Sequence, residues 1–208
     1  MNCPLCLHSA DLYLVLQESQ RYFHCSQCDL RFLDPANLLN EKEEYLRYEL
    51  HENDIADARY QNYMQPIADW VARNCSLGSG LDFGCGKAPL LAKLLEEKGL
   101  NMRVYDPYYF ADTSYRDSQY DFCVAVETAE HFYSPKKEIE HLISLLKTNG
   151  GLGFVTQLYH DKIDFKSWYY RLDPTHVCFY SQKTFAWIQN HFGFKSYQTD
   201  GVRFNWLA

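Results

Sequence analysis

The stretch 80–91, Gly-Leu-Asp-Phe-Gly-Cys-Gly-Lys-Ala-Pro-Leu-Leu, constrains the fold of this chain more than any other. A short apolar run leads into two glycines, and an apolar helical pattern begins at Leu90. That order predicts a strand, a tight turn and a helix. Gly84 and Gly86 allow the backbone to turn sharply and to lie against a ligand, because neither carries a Cβ atom. The free amides at the start of the helix favour a polar or anionic group of that ligand.

The residues around the glycines exclude two common phosphate-binding loops. A dinucleotide fingerprint has a third Gly or Ala where this chain has Pro89, and a P-loop requires Ser or Thr where it has Ala88. Asp82, two residues before the first glycine, belongs to neither motif. An acid followed by Gly-x-Gly at a strand end resembles the first motif of class I S-adenosylmethionine-dependent methyltransferases. The family often has a third glycine where Ala88 stands, and an ordinary glycine-rich turn is the alternative.

This resemblance implies positions for the cofactor. Asp82 is expected near its methionine end, and the backbone of Gly84, Cys85 and Gly86 is expected to pass beneath it. The cofactor of the family is S-adenosylmethionine, so the resemblance implies that this chain binds it too.

A second acid supports the same interpretation. Residues 102–106 predict a short strand that ends in Asp106, 20 residues after Gly86. At that spacing, an acid that closes the second strand of a Rossmann-like unit accepts hydrogen bonds from ribose hydroxyls. Pro107 ends the strand. We therefore expect Asp106 and Pro107 to contact the cofactor together with the glycine loop.

A third predicted strand end carries further polar groups. Residues 120–126 predict a strand buried on both faces, and this strand leads into Glu127 and His131. In an open α/β sheet, ligands bind beyond the carboxyl ends of the strands. Glu127 is therefore expected beside the cofactor. The sequence Glu-His after this strand resembles the fourth motif of the family, although His131 could simply brace its loop.

The candidate general bases are two histidines. Residues 157–180 are aromatic and polar, and in the family the region after the fifth strand lies over the substrate side. His176 lies in this region and is the first candidate, with His131 the second, because histidine has a suitable intrinsic pKa. A base is required only where the acceptor must lose a proton. The alternative for His176 is a packed loop held by its hydrogen bonds.

The resemblance covers the chain from about residue 41 to its end and implies an α/β fold. We expect a Rossmann-like, seven-stranded, mostly parallel sheet with a reversed C-terminal strand. A chain of 208 residues has room for one such domain and a small appendage. We assign residues 78–208 to the methyltransferase domain and residues 37–77 to a helical lid or linker. Within the latter, His51 and Asn53 could reach the pocket, or lie in a solvated loop.

The first 36 residues predict a zinc ribbon. They contain four of the eight cysteines in two Cys-x-x-Cys pairs separated by 18 residues: Cys3, Cys6, Cys25 and Cys28. This spacing matches a four-thiolate zinc site, and two apolar stretches around a polar turn predict a hairpin. A structural role is favoured, because four thiolates leave no open position on zinc. Two disulfides fit poorly without a secretion signal, and a redox motif would not need two copies.

Charge and composition limit the partners of the chain. A net charge of −7 and a pI of about 5.6 disfavour a large nucleic-acid footprint. No apolar run approaches the length of a membrane span, and the N-terminus does not resemble a signal peptide, which predicts a cytoplasmic protein.

Three hypotheses for the function follow. The first is an S-adenosylmethionine-dependent methyltransferase acting on a small aromatic, quinol-like or sugar acceptor, as the acidic pI and the aromatic region after the fifth strand suggest. The second is an RNA or protein methyltransferase that reads its substrate with the zinc ribbon. The third is a cofactor-binding interaction protein without catalysis.

Overall fold

A computed structural model describes residues 1–16, 19–50, 53–75 and 78–208 of the chain. The described strands are β1 (Asp11–Leu16), β2 (Gln20–His24), β3 (Arg31–Leu33), β4 (Ser79–Phe83), β5 (Asn101–Tyr105), β6 (Tyr120–Val126), β7 (Leu146–Val155), β8 (Cys178–Phe179), β9 (Tyr197–Thr199) and β10 (Phe204–Leu207). The described α-helices are α1 (Glu41–Tyr48), α2 (Ala58–Asn74), α3 (Leu90–Glu97), α4 (Pro135–Ser144) and α5 (Gln182–Phe192). None of these helices combines the length and the apolar character that crossing a membrane requires.

The central sheet has the strand order β5-β4-β6-β7-β10-β9. The first four strands run parallel, and β10 runs antiparallel to both β7 and β9. The predicted α/β fold, with a mostly parallel sheet and a reversed C-terminal strand, is therefore confirmed.

The predicted number of strands was wrong. The part of the chain that the structure describes contributes six strands to this sheet, not seven. The missing strand falls in residues 107–119, between β5 and β6, where the backbone forms a 3-10 turn over Thr113–Asp117. So short a connection has no room for both a strand and a crossover helix.

Both faces of the central sheet are covered by helices. Successive residues of a strand point to opposite faces, so neighbouring residues of β6 pack against different helices. Phe122 and Val124 of β6 pack in the same apolar cluster as residues of α2 and α3, whereas Cys123 and Ala125 pack with residues of α4 and α5. All four side chains are fully buried. This is the strand buried on both faces that the sequence predicts.

A second sheet forms at the N-terminus, with the order β1-β2-β3-β8. Strands β1 and β2 pair antiparallel, with Asp11 opposite His24 and Leu16 opposite Gln20. Strand β3 pairs with β8, so that Arg31 lies opposite Phe179 and Phe32 opposite Cys178. The N-terminal segment thus pairs with a strand from far along the chain, and it shares one apolar cluster with one face of the central sheet.

Candidate functional site

The glycine loop lies between β4 and α3, as predicted. Gly84 and Gly86 both have positive φ, at 80° and 64°. The Gly84 and Cys85 amides donate to the Tyr105 carbonyl at the end of β5, over 2.8 and 3.1 Å. A Cβ atom on Gly84 would lie 2.3 Å from the Thr128 side chain, but one on Gly86 would meet nothing within 4 Å. The backbone at Gly86 therefore faces open space beside the loop.

Asp106 meets the glycine loop across the sheet. Its Oδ2 accepts a hydrogen bond from the Gly86 amide over 3.0 Å. Its Oδ1 accepts from the Tyr108 and Tyr109 amides. A carboxylate has about four acceptor positions, so these three bonds leave room for about one more donor. The structure thus brings Asp106 next to the glycine loop, as the spacing of 20 residues predicts. The carboxylate of Asp106 can still accept about one hydrogen bond from a ligand hydroxyl.

Asp82 lies beneath the same loop and lacks such partners. It is 2% exposed, and no donor among the described residues hydrogen-bonds its carboxyl group. Burial, together with the nearby charge of Asp106, raises the pKa of Asp82 to about 7. A cationic group placed next to Asp82 would remove this penalty.

The predicted Glu127 follows β6 and connects three elements. Its φ is 48°, an uncommon value for a residue other than glycine. Glu127 Oε1 accepts from the Tyr63 hydroxyl of α2 over 2.6 Å, and Oε2 accepts from the Tyr170 hydroxyl over 3.2 Å. The next residue, Thr128, donates to the Gly84 carbonyl over 3.3 Å. The end of β6 therefore touches the glycine loop through Thr128 and the aromatic region through Glu127.

Glu130 also lies at this site, although no predicted site residue is at that position. Its side chain is fully buried, the Tyr170 hydroxyl donates to Oε1, and Oε2 has no hydrogen-bond partner among the described residues. Burial and the adjacent charge of Glu127 raise the pKa of Glu130 well above its usual range. The one available signal was its position directly before His131.

The two candidate histidines are brought together. Their ring centroids lie 4.7 Å apart, with the planes at 75°. His131 Nδ1 donates to the Thr175 carbonyl over 2.9 Å, and His176 Nδ1 donates to the Tyr170 carbonyl over 2.6 Å. A carbonyl only accepts, so Nδ1 of each ring carries a proton, and in the neutral ring Nε2 would hold the lone pair. Both rings thus brace their loops through Nδ1.

Helix α1 packs over this histidine pair. The Tyr48 ring lies 5.3 Å from the His131 ring and 5.6 Å from the Tyr108 ring. Arg47 forms an ion pair with Asp173 at 2.6 Å, and although burial opposes the shift, this pair helps to hold the pKa of Asp173 below its usual range. One short helix therefore contacts both the end of β5 and the histidine loop. His51 lies outside the described residues.

We call the groups at the carboxyl ends of β4, β5 and β6, together with the histidine pair, the strand-end site. Its side chains and glycines are Asp82, Gly84, Gly86, Asp106, Glu127, Glu130, His131 and His176. Cys85 is buried within the loop, where burial raises the pKa of its thiol, and Pro107 is exposed beside Asp106.

The four N-terminal cysteines form a separate cluster, which we call the cysteine cluster. The Sγ atoms of Cys3, Cys6, Cys25 and Cys28 all lie within 4.8 Å of one another. None of the four forms a disulfide. Each Cys-x-x-Cys pair is followed by a residue in the left-handed region, Leu7 at φ 64° and Asp29 at φ 61°. The two turns also repeat one hydrogen bond, from the Leu7 amide to the Cys3 carbonyl and from the Asp29 amide to the Cys25 carbonyl.

Asp29 joins the cysteine cluster to the rest of the chain. Its Oδ2 accepts from Ser181 Oγ over 2.6 Å, and Ser181 is the N-cap of α5. The second cysteine turn is thus fixed to a helix that packs on the central sheet.

Comparison with known proteins agrees with this geometry. A family model described as "Methyltransferase domain" matches residues 55–199, more than half of the chain. The chain belongs to the methyltransferase-domain family. The predicted enzyme class, a methyltransferase, is thereby confirmed. No curated protein matches this methyltransferase in sequence.

Solved structures show the same fold. The 1,6-didemethyltoxoflavin-N1-methyltransferase from Burkholderia thailandensis, solved with 1,6-didemethyltoxoflavin and S-adenosylhomocysteine, is 12% identical with a TM-score of 0.53, over 95% of this chain and 97% of that one. Human N-acetylserotonin methyltransferase, in complex with S-adenosylmethionine, is 11% identical with a TM-score of 0.54, over 80% and 56% of the two chains. Mitomycin 7-O-methyltransferase is 10% identical with a TM-score of 0.53, over 80% and 66%. This methyltransferase therefore spans little more than half of the human enzyme's length.

Proposed function

We propose that this methyltransferase binds S-adenosylmethionine across the ends of β4 and β5 and transfers its methyl group to a small acceptor. The observation that carries the proposal is the glycine loop, whose backbone at Gly86 faces open space between two buried acids. A sulfonium and an ammonium group would compensate the buried charge of Asp82, and the remaining acceptor capacity of Asp106 suits a ribose hydroxyl. Two of the structurally similar proteins were solved with the same cofactor or its product.

Each predicted cofactor residue has a proposed role. Asp82 lies near the methionine end, the glycine loop passes beneath the cofactor, and Asp106 holds the ribose with Pro107 beside it. Glu127 closes the far side of the cofactor, where its hydrogen bonds to two tyrosines fix its direction. The proposed cofactor-binding residues are Asp82, Gly84, Cys85, Gly86, Asp106, Pro107 and Glu127.

The chemistry is an in-line displacement at the sulfonium carbon. A lone pair of the acceptor forms the new bond to the methyl carbon while the carbon–sulfur bond breaks, and the electron pair of that bond stays on sulfur as a neutral thioether. Alignment and exclusion of water provide most of the acceleration, since the methyl donor is already activated. Nδ1 of His131 and of His176 is bonded to a backbone carbonyl, so Nε2 is the ring nitrogen that would take the proton that a hydroxyl acceptor loses.

We propose that the acceptor is aromatic, quinol-like or a sugar. Tyr170 is buried with its ring centroid 4.3 Å from that of His176, and the buried Trp168 packs against the Tyr170 ring. Tyr48 of α1 covers the other side of His131. Such walls suit a flat or ring-shaped molecule. Residues 37–77, which include α1, would act as the lid that admits it.

The cysteine cluster fits zinc. Tetrahedral zinc takes sulfur ligands at about 2.3 Å, which places the four Sγ atoms within about 4 Å of one another. The Sγ atoms of Cys3 and Cys28 are 3.5 Å apart, and those of Cys6 and Cys25 are 3.3 Å apart. We propose that Zn²⁺ bound to Cys3, Cys6, Cys25 and Cys28 stabilises the N-terminal sheet and has no catalytic role.

An RNA acceptor is less favoured. Residues 1–40 contain two arginines and no lysine. Arg21 pairs with Asp34 at 2.6 Å, and Arg31 is buried over the Tyr159 ring. Both cations are already engaged, so the ribbon offers little positive charge to a phosphate backbone.

Calorimetric titration with S-adenosylmethionine tests the proposal. We expect Asp106→Ala and Gly84→Val to lose cofactor affinity, while Asp161→Ala, an exposed acid, retains it. Transfer of a labelled methyl group to panels of phenols, quinols and sugars would then identify the acceptor class. Unchanged affinity in folded Asp106→Ala and Gly84→Val would refute the cofactor site, and salt-sensitive retention on RNA would favour the second hypothesis.

A further inference from the structure

Three side chains of the strand-end site are arranged as metal ligands. One ligand atom each of Glu130, His131 and His176 lies within 4.8 Å of the other two. Two histidines and one carboxylate are a common ligand set for divalent first-row transition metals, and they leave coordination positions open. From this geometry we propose that Glu130, His131 and His176 bind such a cation.

Both histidine rings form the backbone hydrogen bond that ligating rings usually form. Each donates Nδ1–H to a backbone carbonyl, His131 to Thr175 and His176 to Tyr170. In metal sites, this bond fixes the tautomer and directs the Nε2 lone pair toward the ion. The two carbonyls belong to one segment, 170–175, and the Glu130 carbonyl accepts from the Val177 amide. The same loop pairing therefore positions all three side chains.

Bracing of the loops does not explain the carboxyl group. Glu130 is fully buried, and its Oε2 has no hydrogen-bond partner among the described residues. A buried carboxylate oxygen normally has a donor or a metal. No Lys or Arg within the described ranges forms an ion pair with Glu130 or with Glu127, whose Oε2 binds the same Tyr170 hydroxyl. A divalent cation would supply the two positive charges that this pair of acids lacks.

The cation deepens the proposed function. An acceptor hydroxyl placed at an open coordination position would have a lowered pKa and would release its proton to solvent. The histidines would then act through the ion, and not as general bases. This role, unlike the metal site itself, depends on the proposed methyl transfer, and it favours acceptors that carry a hydroxyl group.

A cobalt titration of the full chain, first stripped with a chelator, tests the site. We expect two Co²⁺ per chain, counted by mass spectrometry of the metal. The cysteine cluster would give intense thiolate-to-cobalt absorption, and the second ion would add weaker bands without sulfur character. Fewer than two tightly bound ions in the unmodified chain with its cysteines loaded would overturn the proposal.

Matched variants assign the second ion. Glu130→Gln preserves the shape of the side chain, and His176→Gln removes one ring. Both should weaken the second ion at least tenfold and leave the thiolate bands intact, whereas Cys28→Ser should do the reverse. His191→Gln, at an exposed histidine of α5, should change neither. Retention of the second ion at full affinity in both Glu130→Gln and His176→Gln would also overturn the proposal. Titration of the same preparations with S-adenosylmethionine tests the cofactor site separately.

Discussion

The cysteine cluster and the strand-end site are built in opposite ways. All four cysteines lie in two turns of one small sheet, and both turns repeat the same backbone hydrogen bond. The strand-end site draws on the ends of three strands and on the loop 170–176, which begins 44 residues after β6 ends at Val126. It also holds buried acids without full partners, Asp82 and Glu130. From this difference we infer that the cysteine cluster stabilises the fold. The strand-end site is less stable than it could be, because its buried acids have few partners until a ligand binds.

The largest expected effect is the loss of stability that follows a substitution in the cysteine cluster. Cys28→Ser should lower the free energy of unfolding by about 4 kcal/mol or more, because the change removes one of the four proposed zinc ligands from a buried position. Zinc content and denaturant unfolding measure this, with half-buried Cys75→Ser as the control. A Cys28→Ser protein that kept its zinc and its stability but lost cofactor affinity would break the distinction between the two regions.

A substitution in the glycine loop should instead change cofactor affinity more than it changes stability. Gly86 and Gly193 both have positive φ, and a Cβ atom on either would meet nothing within 4 Å. Alanine at either position should therefore cost a similar 1 kcal/mol or so of stability. Only Gly86→Ala should also weaken S-adenosylmethionine binding, by about tenfold or more, measured by calorimetry. Equal cofactor affinities in the two variants would argue against a ligand at this loop.

The pH dependence of cofactor binding sharpens the comparison further. Without a ligand the pKa of Asp82 is about 7, against 3.8 ordinarily, because burial disfavours its charged form. A cationic cofactor group favours that form, so affinity should rise roughly tenfold from pH 6 to pH 8 and then level off. The cofactor-free protein should conversely lose stability as the pH rises from about 4 to about 7. In that range the carboxyl group of Asp82 keeps its proton in the folded state but loses it in the unfolded state. Asp82→Asn should flatten both profiles, and an unchanged slope would remove Asp82 from the site.

The smallest effect is expected at the contact of α1 with the histidine loop. Arg47 and Asp173 form a partly exposed ion pair, so Arg47→Ala should cost at most about 1 kcal/mol of stability. If α1 is a lid, the same change should raise KM for the acceptor more than it lowers kcat. A double-mutant cycle with Asp173→Asn would measure the coupling, and additive effects would show that the pair does not hold the helix.

Local patterns in the sequence predicted much of both regions. The cysteine hairpin follows from spacing within one segment, and residues 120–126 form the predicted strand because both of their faces are apolar. Asp106 meets Gly86 for a similar reason, since two adjacent parallel strands end at one side of a sheet. These features depend on neighbours in sequence or on adjacent strands.

Long-range packing determined what the sequence could not predict. Burial of Glu130 depends on Tyr170 and Val177, residues that lie at least 40 positions away. The pairing of β3 with β8 involves only two residues of β8, too few for a period-two pattern. The prediction of seven strands was wrong because that number came from the family resemblance. Residues 107–119, between β5 and β6, are too few to form the additional strand and its crossover helix.

The pairing of β3 with β8 has a consequence for protein engineering. A fragment that starts at residue 37 would leave β8 as a bare edge and would uncover Phe179, which lies in the shared apolar cluster. Exposed edges of that kind promote self-association. Transplanting the cysteine hairpin onto another catalytic domain would likewise require a matching acceptor strand and a hydroxyl in the place of Ser181. Transfer of residues 1–36 to another protein should therefore give an insoluble chimaera unless residues 178–181 are transferred with them.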